Sequence, residues 1–77
     1  MGRDKTVMRS FEAPGGQVCV DLFCRADGSW GFEEYRRDPE DGSGWHPAGV
    51  FSERRFVDQN AALNAARISV GWLDGVL

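Results

Sequence analysis

Two runs of apolar–polar alternation, separated by Asp27-Gly28, constrain the fold of this chain more than any other feature. In residues 17–25, Val18, Val20, Leu22 and Cys24 alternate with Cys19, Asp21, Phe23 and Arg25, the period-two pattern of a half-buried strand. Residues 30–37 continue in kind, with Trp30, Phe32, Glu34 and Arg36 on one side and Gly31, Glu33, Tyr35 and Arg37 on the other. Asp-Gly between two such runs predicts a two-residue type I′ hairpin. It also predicts that Trp30 and Phe32 share the core face of Val18, Val20 and Leu22.

Flanking segments extend this hairpin. Residues 6–12 can form a first strand, with Val7, Arg9 and Phe11 on one face and Met8 and Ser10 on the other, after polar residues 1–5 that are expected to fray. Pro14-Gly15-Gly16 makes a turn. Residues 38–44 are too rich in breakers to be regular. Residues 45–51 can form a last strand, in which Pro47 argues for an edge position or a bulge.

From about residue 58 to 73 the pattern changes to helical. Asp58 suits the N-cap, and Gln59, Ala62, Leu63, Ala66, Ser69, Val70 and Leu73 fall within about 60° of one line on a helical wheel. Asp74-Gly75 supplies the stop. The expected architecture is therefore α+β: a three- to four-stranded antiparallel meander with one C-terminal helix packed on one face, residues 1–77 forming a single domain. Asn60, Asn64, Arg67, Gly71 and Asp74 span a polar arc of only about 80°. Ala61, Ala65, Ile68 and Trp72 then form an apolar flank. Either the sheet curls over that flank, or it is a homodimer or protein interface anchored by Trp72.

Composition narrows the function classes. At 77 residues the core is thin, with about 60–65% of the unfolded surface buried, so disulfides, a metal or a partner subunit would stabilise the domain. Nine Lys and Arg against twelve Asp and Glu leave a net charge of −3, which disfavours nucleic acid and anionic membrane. Cys19 and Cys24 lie an odd number of residues apart and point to opposite faces, so two thiols in a reducing cytoplasm are expected rather than a disulfide. Residues 1–6 carry no apolar leader, and no stretch reaches the length of a membrane span.

No residue pattern points to catalysis, a metal or a cofactor. His46 stands without the Cys or His spacing that zinc uses. Asp38, Glu40 and Asp41 do not follow an EF-hand loop. Glu33 and Glu34 point to opposite faces and cannot act as an acid–base pair. No P-loop, dinucleotide or nucleophile-elbow motif occurs. Phe23, Arg25, Tyr35 and Arg37 would share the outer sheet face, and that mixture of aromatics and cations is the alternative, a nucleic-acid surface. Asp21 and Glu33 on the same face weaken it.

The order Asp27-Gly28-Ser29-Trp30, Phe56, Ala61-Ala62-Leu63 and Trp72-Leu73-Asp74 resembles a loose group of small bacterial β-sheet-plus-C-terminal-helix proteins with no established activity. The resemblance implies the sheet-plus-helix fold and no chemistry. In outline the chain is also similar to the double-stranded-RNA-binding fold and to small antitoxins, but it lacks the basic helix-end cluster that the first requires. The expectation is a cytoplasmic, non-enzymatic binding module that self-associates or binds another protein.

Overall fold

The computed structural model describes residues 5–40, 42 and 44–77. It holds a four-stranded antiparallel sheet in the order β1 (Lys5–Glu12), β2 (Val18–Arg25), β3 (Trp30–Arg36), β4 (His46–Pro47), followed by α1 (Gln59–Ser69) and a 3-10 turn at Leu73–Gly75. The α+β meander is as expected. Residues 6–12, which alternation allowed as a strand without deciding its pairing, pair with β2, and Lys5, expected to fray, joins them. The rest of that expectation, residues 1–4, lies outside the described residues.

The central hairpin forms by a different turn. Arg25 N–H donates to Ser29 O at 2.8 Å and Gly28 N–H to Arg25 O at 3.0 Å, so the loop is the three residues Ala26, Asp27 and Gly28. Only Gly28 has positive φ, at 89°, whereas a type I′ turn needs it at Asp27 as well. Loop length decides which face Phe32 takes. A two-residue Asp27-Gly28 loop would have set Phe32 opposite Phe23 on the outer face, so the expected loop and the expected core face exclude one another. The three-residue loop pairs Leu22 with Phe32 and Cys24 with Trp30, keeping the core face and overturning the loop. Directly opposed residues share a face, and so Phe32 reaches the core.

On that face Val20, Leu22 and Phe32 pack with Ala62, Ala66, Val70 and Leu73, all at most 2% exposed. Asp58 caps α1 by accepting Ala61 N–H at 2.9 Å. Ala62 and Ala66 let the helix lie close to the sheet. The helix stops at Ser69, short of the expected residue 73. Val70 is extended, its N–H still bonded to Ala66 O, and the β-branched and glycine run Ile68, Val70, Gly71 favours leaving the helix there. Arg67 and Asp74 close the break at 2.6 Å, and Leu73 turns inward. Ser69, expected in the core stripe, is exposed.

Two strand details also differ from the alternation. In β1 the register shifts between Val7 and Arg9, so Met8 is the extra residue of a β-bulge. Val7 therefore opposes Phe23 on the outer face, while Arg9 and Phe11 oppose Leu22 and Val20 on the helix face. The fourth strand, expected over 45–51, pairs only at His46 and Pro47, at the sheet edge that Pro47 suggested. Between Ala48, bonded to Glu34 O, and Phe56, bridged to Trp30, the seven residues 49–55 stand opposite the three residues 31–33. That excess pushes Phe51 inward, where its ring stacks on Phe32 at 5.0 Å.

Candidate binding surfaces

The outer face is largely filled. Phe23 is 1% exposed. It lies across Gly31, where a Cβ would come within 2.8 Å of its ring, and the cations of Lys5 and Arg25 sit 4.4 and 4.9 Å from its centroid. Arg25 is spent on the backbone: it donates to Ser52 O, to Arg54 O at 3.3 Å and to Trp30 O at 3.2 Å. Beside it Glu33, 2% exposed, accepts Phe51 N–H at 3.2 Å and Ser52 N–H at 2.9 Å on Oε1, and Glu34 N–H at 2.9 Å on Oε2. Glu33 and Arg25 thus serve as acceptor and donor, respectively, for a segment that has left the ladder, as buried backbone groups require.

This arrangement corrects the outer-face alternative. Phe23, Arg25, Tyr35 and Arg37 do lie on one side, but Phe23 is covered and Arg25 is committed. Arg37 stacks on Trp45 at 4.8 Å and donates to Gly16 O at 3.1 Å. No free aromatic–cation pair remains among the four to stack a base. Further along, Ser10, Glu12, Cys19, Asp21, Tyr35 and Trp45 line an open hollow of about 240 Å³. Its carboxylates make it acidic. Burial, then the charges of Asp21 and Glu33, push the Tyr35 hydroxyl up. Burial, Asp21 and Glu12 push the Cys19 thiol up to about 11.

The two thiols are unbridged and face opposite ways, Cys19 opposing Tyr35 and Cys24 opposing Trp30. With a pKa near 11, about a thousandth of Cys19 is thiolate at pH 8. In Cys24→Ser, alkylation of Cys19 by iodoacetamide should therefore keep accelerating to pH 10 and beyond instead of levelling off near pH 9. Levelling off near pH 9 would show an ordinary thiol.

The helix flank divides. Ile68 is 86% exposed. Trp72 no longer belongs to the helix; it packs against the core, and its indole N–H donates to Glu34 Oε2 at 3.0 Å. Ala61 and Ala65 are half-buried, Ala65 against the core. Ile68 and Trp72 do not share a helical face, because α1 ends between them. The apolar ledge expected from the wheel is reduced to Ile68.

What sequence patterning did not single out is β1. It is an edge strand, and thus a template for pairing; six of its eight residues, Thr6 to Ser10 and Glu12, are exposed. Ala13 N–H donates to Val18 O at 2.9 Å. Alternation then turns the backbone groups of Phe11 and Arg9 toward β2 and those of Ser10 and Glu12 outward. On β2, Arg25 N–H bonds Ser29 and Gln17 O bonds Arg37, so the odd residues face β3 and Cys24 faces Thr6. Lys5 and Val7 therefore also direct their N–H and C=O groups away from the sheet.

Among the described residues no cluster of three or more His, Cys, Asp or Glu could hold a metal ion. No described helix is long and apolar enough to cross a membrane. No family model matches the chain, and neither the curated proteins nor the solved structures include a significant match to it.

Proposed function

We propose that this chain is a small non-enzymatic binding module that takes an extended polypeptide along the outer edge of β1. The reading is carried by one observation: Lys5, Val7, Ser10 and Glu12 turn backbone donors and acceptors outward along an exposed strand, with no strand paired to them among the described residues. Strand addition uses such an edge, with main-chain bonds for affinity and alternate side chains for selectivity. Val7 and Met8, 51% and 53% exposed, supply apolar contact. The unbridged thiols suit a reducing compartment such as the cytoplasm. The helix, whose Trp72 is tied into the core, becomes support for the sheet.

A library of short synthetic peptides, selected on the immobilised protein, tests this. Selected peptides should slow hydrogen exchange at the amides of Lys5, Val7, Ser10 and Glu12. Ser10→Pro, which removes an outward N–H and leaves the β1–β2 donors in place, should abolish that binding, while Ile68→Ser should not change it. Peptides that bind Ser10→Pro normally, or a library that yields none on a chain that is itself monomeric, would refute the reading.

A further inference from the structure

We infer that the strand taken by this edge is β1 of a second copy, paired antiparallel across a two-fold axis near Met8 and Arg9. This rests on the β1 reading above and names its partner. In that register Lys5 stands opposite the partner's Glu12, Val7 opposite the partner's Ser10, and Thr6 opposite the partner's Phe11. All four outward-facing residues of each strand then meet outward-facing residues of the other, and each exchanges both backbone bonds with its opposite number.

The bulge makes this register available. Opposed residues in a sheet must share a face, and Lys5 and Glu12 are an odd number of positions apart, so a regular strand would set them on opposite faces. The extra residue at Met8 shifts the phase. Lys5 opposes Arg25, and Glu12 opposes Cys19, both on the outer face, while Thr6 and Phe11 oppose Cys24 and Val20 on the helix face. Each pair in the proposed register is matched.

Charge agrees with geometry. Neither Lys5 nor Glu12 takes part in an ion pair with another described residue. Glu12 lies at the acidic hollow it lines with Asp21, and the partner's Lys5 would arrive at that rim, twice per dimer by symmetry. Val7 and Met8 would leave water, and the two sheets would join into one of eight strands.

The test uses the full chain in sedimentation equilibrium, with circular dichroism to check folding. Wild type should have twice the chain mass. Lys5→Glu and Glu12→Lys should each raise the dimer Kd on the order of tenfold, since each sets like charges opposite one another. The Lys5→Glu/Glu12→Lys double variant should return it to near wild type. Ser10→Pro should be a folded monomer. A wild-type monomer at millimolar concentration overturns the self-pairing, as does a dimer whose Kd ignores the charge swap. A monomer that still binds β1-directed peptides leaves the module reading standing, and a monomer that binds none removes both.

Discussion

Replacing Glu33 with alanine is expected to cost about 4 kcal/mol of folding stability, because it strands three backbone N–H groups at once. The carboxylate is 2% exposed and accepts from Glu34, Phe51 and Ser52. The last two amides have left the β3–β4 ladder and have no other acceptor among the described residues. A chain of this length has about 4–12 kcal/mol in total, so the variant should be largely unfolded by mild urea. Glu33→Gln should lose only about 2 kcal/mol. Its amide oxygen can keep Phe51 and Ser52, while its NH2 is turned against the Glu34 N–H. Urea titration followed by tryptophan fluorescence measures both. Equal losses for the two variants would show that the side chain fills space and does not serve as acceptor.

Phe32→Ala should be equally severe, again about 4 kcal/mol, from lost burial and an unfilled cavity. Phe32 is fully buried, with Phe51 at 5.0 Å and Phe56 at 5.9 Å between ring centroids; aromatic pairs of this kind add about 0.5–1.5 kcal/mol each beyond area. The melting temperature should fall by about 20 °C, at about 4–8 °C per kcal/mol for a domain of this size. A fall of only a few degrees would mean that the core collapses around the gap. Phe32 holds the ring of Phe51, while Glu33 holds its backbone N–H. The two losses should therefore not add, and a double-mutant cycle should return a coupling of about 1 kcal/mol or more.

The placement of the helix is a milder lesson in local signals. Asp58 was legible as a cap because its job concerns only Ala61, three residues away. Ala62 and Ala66 were legible as the inward stripe for the same reason. The end of the helix was not. Asp74-Gly75 looks like a stop, yet the break comes at Val70, where Leu73 gains a core position and Trp72 gains Glu34. Both rewards lie on the sheet. Ile68 and Trp72 therefore present no joint apolar surface.

By itself the sequence determined the strand pattern at residues 17–25 and 30–37, the face of β2 that meets the helix, the N-cap, the edge position of Pro47 and the opposed thiols. These follow from periodicity and from contacts a few residues long. The tertiary structure alone decided the rest. The parity of the central hairpin depends on loop length, and Gly28 with positive φ suits two loop lengths alike. Met8 bulges because β1 must meet β2 at Phe23 and again at Leu22, a demand invisible in β1. Glu33 reads as a surface residue in alternation, and becomes buried because residues 49–55 return to the β3 edge with more chain than the edge can pair. Backbone groups released there need partners, and Glu33 and Arg25 are the side chains within reach.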